Sequence, residues 1–169
     1  PAPPAPPAPP SPPVQLTAEE GAEAAPCLRL LLSHMATSPK QRERTASLRT
    51  LQRMLDCWPP ATRLPLLRSL LQACPFPNVA ALLLHRIKDD LLSHRQQRAA
   101  AAAGGAPPPA AFSTAEVLQA AEEVLRSDCD PATCLDALMG GLNLVRFLLA
   151  DTARPPAISP YLPPPRTPP

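Results

Sequence analysis

Residues 37–92 read TSPKQRERTASLRTLQRMLDCWPPATRLPLLRSLLQACPFPNVAALLLHRIKDDLL, three amphipathic segments joined by very short proline turns. Ser38-Pro39-Lys40-Gln41 carries the marks of a helix start, with Ser38 as N-cap, Pro39 in the first helical position and Gln41 able to reach back to the cap. In the helix that follows, Leu48, Leu51, Leu55 and Trp58 fall on one stripe widened by Met54, while Lys40, Arg42, Glu43, Arg49 and Arg53 mark the wetter side. Pro59-Pro60 stops it. Thr62 is expected to cap a second helix, whose row of Leu64, Leu67, Leu71 and Cys74 is broadened by Leu66 and Leu70, so it belongs inside. After Pro75-Phe76-Pro77, Asn78 is expected to cap a third, with Ala80, Leu83, Leu84, Ile87 and Leu91 on one face and Arg86, Asp89 and Asp90 on another. Links this short leave antiparallel neighbours as the option, which is the grammar of a stacked helical scaffold.

The same reading extends in both directions. Upstream, a short helix is expected over residues 25–35, with Cys27, Leu28, Leu31, Leu32 and Met35 on one stripe. Downstream, the run AAAAAGGAPPP (99–109) has no amphipathic pattern and reads as a loop. Ser113-Thr114-Ala115-Glu116 is a capping box opening a helix with Val117, Leu118, Ala121, Val124 and Leu125. Asp130-Pro131 caps a last helix to about Ala150, with Leu135, Leu138, Leu142, Val145 and Leu149 in register and Gly140-Gly141 inside it, where close packing or a kink is expected. The expected organisation is a disordered Pro/Ala-rich linker (1–25), a helical repeat-like unit (26–98), an Ala/Gly/Pro loop (99–112), a helical hairpin completing the domain (113–152) and a disordered Pro-rich tail (153–169). Nine of the 28 prolines fall in the first thirteen residues and eight in the last fifteen, so the folded part is shorter than the chain's 169 residues. A chain that starts on Pro1 rather than methionine reads as a piece of a longer one.

Composition narrows the fold class to all-α. Aromatic residues make up 3% of the chain, β-branched residues are few and no alternating run is sustained, so packing must rest on leucine and alanine. The net charge of +2, from 16 basic and 14 acidic residues, argues against a dedicated nucleic-acid binder. No apolar run is expected to cross a membrane, since the stretch near Leu142–Ala150 contains Asn143 and Arg146. The five cysteines lie in or beside helical patterns and are expected to be buried free thiols of a reducing compartment.

No constellation has the spacing of a catalytic or metal site, and no cofactor is expected. Cys129 and Cys134 lack two further ligands at zinc spacing, and Cys74, though imaginable as a nucleophile, has no histidine in a local motif. His85 and His94 are expected at the surface of the Asn78 helix. Arg42, Arg44, Arg49 and Arg53 form a basic ridge, and His85, Arg86, Lys88, Arg95 and Arg98 a second cluster. From these, Arg42, Arg49, Arg53, Arg86 and Lys88 are taken as the candidate partner-binding face. With no interleaved aromatics to stack on bases, a helical module for nucleic acid or acidic ligands is the alternative class. Pro160 and Pro163 give an imperfect PxxP, and Ser38, Ser159 and Thr167 each precede a proline, the minimal context for proline-directed phosphorylation.

LLQACPFPNVAALLLHRIKDDLL, the helices before it and the downstream ALMGGLNLVRFLLA together resemble the C-terminal region of the glomulin and fungal Yap-binding family, which also contains the plant aberrant-lateral-root-formation protein. The resemblance spans roughly Thr37 to Asp151 and rests on the CPF turn, the helix ending in Lys-Asp and the later helix with LN..RFLL. It implies a HEAT-like α-solenoid fragment of about five or six antiparallel helices. It also implies a non-catalytic, cytoplasmic and in part nuclear adaptor that regulates a cullin-RING ubiquitin ligase by binding its RING-box subunit. The fungal branch implies instead a scaffold for a stress-response transcription factor or a kinetochore. No contact residue carries over by motif.

Overall fold

The structure is a computed structural model that describes residues 17–102, 112–126 and 130–152. Within them the chain forms six α-helices: α1 Ala18–Thr37, α2 Gln41–Asp56, α3 Pro60–Gln72, α4 Pro77–Ala102, α5 Thr114–Leu125 and α6 Pro131–Thr152. Among the described residues there is no strand, as the scarcity of β-branched alternation requires. The proline tails, the phosphorylation sites within them, the PxxP and Cys129 lie outside the described residues.

Each helix start has a local cause, and several differ from the expected one. α1 begins at Ala18 rather than Ala25, because Thr17 and Glu20 form a full capping box: the Thr17 amide donates to Glu20 Oε2, and the Glu20 amide donates to Thr17 Oγ1 at 3.4 Å. The helix thereby takes in residues assigned to the linker. α2 is capped by Lys40, with no side-chain cap. Ser38 instead closes α1, its amide donating to the His34 carbonyl at 2.9 Å while its hydroxyl donates to Glu43 Oε2 at 2.7 Å. The buried Ser38 therefore ties the end of one helix to the start of the next. α3 starts at Pro60, before the expected cap Thr62, and α4 at Pro77, before Asn78. In both, a proline sits in the first turn, where its missing N–H costs nothing, and the preceding carbonyl takes the first amides: Pro59 O from Thr62 and Arg63, Phe76 O from Val79 and Ala80. α4 continues through Ala102, past the expected loop start at Ala99, because a run of alanine is the strongest helix former available. The Ser113–Glu116 box and the Asp130 cap are formed as the sequence implies.

The core is one continuous cluster drawn from all six helices. Leu51, Leu55 and Trp58 from the α2 end meet Leu28, Leu32 and Met35 of α1, Leu64, Leu67 and Leu70 of α3, and Leu83, Leu84, Ile87 and Leu91 of α4. Burying a leucine contributes roughly 1.5–3 kcal/mol, so these stripes, not helix propensity, hold the assembly. α1 packs on α2 and α3, α3 on α4 and α5, and α6 on both α4 and α5. α6 lies closest to α4, and the glycines explain how: a Cβ on Gly140 would stand 3.2 Å from Ala81 Cα, and one on Gly141 would stand 3.1 Å from Leu125. Of the two expected roles for the glycine pair, close approach is the one realised.

One expectation about faces is corrected. α6 buries Ala137, Gly141, Leu144 and Leu148, whereas Leu135, Leu142 and Leu149 of the expected stripe are 58%, 53% and 65% exposed. The glycines draw their own side of the helix inward and rotate the leucines out. By length and composition Pro131–Ala150 is also the one helix among the described residues able to cross a membrane, at mean hydropathy 1.4, because Asn143 and Arg146 dilute the run without ending it.

Candidate functional site

Five groups from three helices converge where α2 ends. Arg63 of α3 donates through Nη1 to Asp90 Oδ1 at 2.9 Å and through Nη2 to the Trp58 carbonyl at 2.8 Å. Arg86, one turn before Asp90 on α4, donates through Nε to Asp90 Oδ2 at 3.1 Å and through Nη2 to Asp56. Asp90 is thus buried with both oxygens occupied by guanidinium donors. Burial pulls the Arg86 guanidinium down, but the hydrogen bonds and charges of Asp90 and Asp56 outweigh it and hold its pKa above the ordinary arginine value. The sequence offered Arg86 as a surface contact and Asp90 as a wet-face residue. The fold joins them into a latch between α2, α3 and α4, and only the pairing of positions 27 apart, invisible to local periodicity, reveals it.

The other candidate cations stand differently. Arg42, Arg49 and Arg53 lie on one stripe of α2, all exposed and, among the described residues, without an ion pair. Arg44, which shared their ridge in sequence, folds back to donate to the Ser38 carbonyl at 2.8 Å. Lys88 is half-buried on α4 and borders a groove between α4 and α6. The groove has a volume of ≈ 640 Å³ and includes Leu82, His85, Lys88, Met139, Arg146 and Phe147. α6 presents Leu135, Met139, Leu142 and Leu149, more exposed large apolar side chains than any other helix among the described residues. Sequence reasoning had assigned Leu135 and Leu142 to the core; the Gly140-Gly141 pair was the available signal that another side of α6 would face inward.

A second pocket, of ≈ 390 Å³, lies where α3 ends and meets α5 and α6, and includes Leu71, Cys74, Glu123, Val124, Cys134 and Ala137. Burial pushes the Cys74 thiol up, so it stays protonated, and no histidine lines the pocket to activate it. Cys27 and Cys57 are exposed and Cys134 is disulfide-bonded, which corrects the expectation of buried free thiols: these cysteines lie beside the leucine stripes rather than within them. His85 is exposed, 3.4 Å from Asp89, as expected. His94 is not at the surface: it is buried with its ring 5.8 Å from that of Phe112, because the chain returns across α4 there. Among the described residues no three His, Cys, Asp or Glu side chains gather as metal ligands would.

The geometry is therefore that of a helical body with a charged stripe on α2 and an apolar groove at α4–α6. A family model described as "Uncharacterised protein family, YAP/Alf4/glomulin" matches residues 14–162. No curated protein and no solved structure matches the chain.

Proposed function

Because this chain belongs to the YAP/Alf4/glomulin family, we propose that it is a non-catalytic, protein-binding adaptor that regulates a cullin-RING ubiquitin ligase by engaging its RING-box subunit. The family supports a protein-binding role. The observation that carries the finer reading is the exposed stripe of Arg42, Arg49 and Arg53 on a helix whose opposite side is anchored in the core by Leu51 and Leu55. Arginines are favoured at protein interfaces, where they pair with carboxylates and stack on aromatic rings. Lys88 adds a further charge on α4, while Arg86, held by two aspartates, contributes by keeping α4 fixed against α2.

In this reading the helices continue a HEAT-like stack. The neighbour order, with α1 beside α3, α3 beside α5, and α4 beside α6, is compatible with hairpins laid side by side. The adaptor would act in the cytoplasm and in the nucleus.

The test is capture of a purified cullin–RING-box complex by the full-length parent protein. Capture that falls at least tenfold in an Arg42→Glu/Arg49→Glu/Arg53→Glu variant with an unchanged helical spectrum is expected. Failure of the wild-type protein to bind, with recovery of a stress transcription factor or kinetochore component from its own cells instead, overturns the ligase reading. Tight binding to generic RNA that collapses with added salt would point to the nucleic-acid class.

A further inference from the structure

The α4–α6 groove is unlike the arginine stripe, since its floor is apolar and its charges are sparse. Leu82 from α4 and Met139 from α6 are 43% and 49% exposed within it, and Leu135 and Leu142, outside its lining but on the same side of α6 as Met139, are 58% and 53% exposed. Leu135, Met139 and Leu142 follow i, i+4, i+7, the spacing at which one helix presents a face to another. These side chains do not owe their exposure to a loose helix. Gly140 packs against Ala81 and Leu84, and Leu144 and Leu148 are buried beneath, so the outward face is fixed by the inward one.

The charges lining the groove are unequally placed. Lys88 and Arg146 border it with no carboxylate in ion-pair distance among the described residues, and neither has another polar partner there. His85 is already beside Asp89, and among the described residues Asp136 is the one carboxylate lining the groove, ten residues before Arg146 on α6 and hence about 15 Å away along the helix. The Lys88–Arg146 end is therefore electropositive over an apolar floor. On α4 the lining runs from Asn78 to Lys88, which at about 1.5 Å per residue gives some three turns of an occupying helix.

We propose that this groove docks an amphipathic helix from a protein partner, with leucine-type anchors at i, i+3/i+4 and i+7 on its apolar face and Asp or Glu beside them at the Lys88–Arg146 end. The inference rests on the protein-binding reading of the family but not on the RING-box subunit as partner. Apolar anchors supply the affinity, and the two cations set polarity and choice of partner by pairing with carboxylates at the rim.

The probe is a labelled synthetic 18-residue helical peptide with leucines at those positions and glutamates at one end, titrated into the full chain by fluorescence anisotropy. A second peptide carries lysine in place of each glutamate on the same apolar face. The glutamate peptide is expected to bind at least tenfold tighter than the lysine peptide. Lys88→Glu/Arg146→Glu, both at solvent-accessible positions, is expected to invert that preference, and Met139→Glu/Leu142→Glu to abolish binding of both. An unchanged thermal transition for each variant keeps loss of binding separate from loss of fold. Equal binding of the two peptides, or a preference that survives the charge swap, overturns the proposal. So does transfer of the protein to neutral phosphatidylcholine vesicles with no peptide bound, the outcome if the apolar face of α6 meets lipid. Capture of the cullin–RING-box complex by the charge-swapped variant, alongside an inverted peptide preference, supports a groove separate from that site. Peptide binding without any cullin capture supports the groove while the ligase reading fails.

Discussion

Asp90 accepts hydrogen bonds from Arg63 and Arg86 at 2.9 and 3.1 Å while almost wholly shielded from water, so removing its carboxylate leaves two part-buried guanidiniums with only the Trp58 carbonyl and Asp56 as partners. Asp90→Ala is expected to cost about 3 kcal/mol in urea unfolding, the scale for breaking a buried pair from one side. Lys40→Ala, which breaks the exposed Lys40–Glu43 pair at 2.9 Å, is expected to change stability by less than about 0.5 kcal/mol. Glu43 supplies a pH test at the same scale. Hydrogen bonds from Ser38 and then Lys40 hold its pKa below the usual glutamate value, so the stabilisation linked to its charge is present at neutral pH. That stabilisation is lost as the pH falls through the depressed value. Ser38→Ala is expected to move the Glu43 carboxyl resonance midpoint upward in an NMR titration. Thiol reactivity follows burial as well: iodoacetamide is expected to alkylate Cys27 and Cys57 before Cys74, read by peptide mass spectrometry. The absence of a local histidine beside Cys74 was legible in the sequence. The Arg86–Asp90 pair, four residues apart on α4, lies within local reading, but Arg86's second partner Asp56 and Asp90's second donor Arg63 do not, because groups from other helices can be assigned only once the helices are packed.

At the scale of the element, α6 carries the clearest contest between local pattern and packing. Its leucines at 135, 142 and 149 recur every seven residues and read as a core stripe, yet Gly140 and Gly141 allow α4 and α5 to approach closer than any leucine would. Adding a methyl at Gly140 favours the helix by about 1 kcal/mol in propensity but directs a Cβ at the Ala81 backbone, which cannot rotate away. Gly140→Val is expected to lower stability by about 2 kcal/mol from overpacking, while Leu135→Gln on the exposed side leaves the melting temperature within a degree or two. Elsewhere faces were more legible than helix starts, since the apolar rows of α3 and α4 are buried as written while α1 to α4 all start away from the expected residue. The Ser113–Glu116 box formed as written, and Ser113→Ala is expected to cost about 1 kcal/mol. Thr62 and Asn78 were misread as caps because Pro60 and Pro77 already stand in the first turn, leaving the preceding carbonyl to accept the amides, whereas Ser38 closes α1 and α2 starts two residues after Pro39.

For the molecule as a whole, a core that runs unbroken from Leu28 to Leu148 implies that the helices unfold together. Trp58, buried at the end of α2, reports on α1–α4, whereas far-UV circular dichroism averages over all six helices. Their urea transitions are expected to coincide; a fluorescence change separated from the dichroism change would mean that α5–α6 unfold as a separate unit. The sequence by itself determined that this is an all-α protein, where its proline turns fall and which family it belongs to, because propensity, capping and the CPFPN block are properties of neighbouring residues. Only the tertiary structure decided which side of α6 is buried, that Arg86 is bound into an ionic latch, and that an apolar groove opens beside Lys88. Those features depend on how closely two helices approach and on charges brought together from distant positions, and neither quantity is carried by any local run of residues.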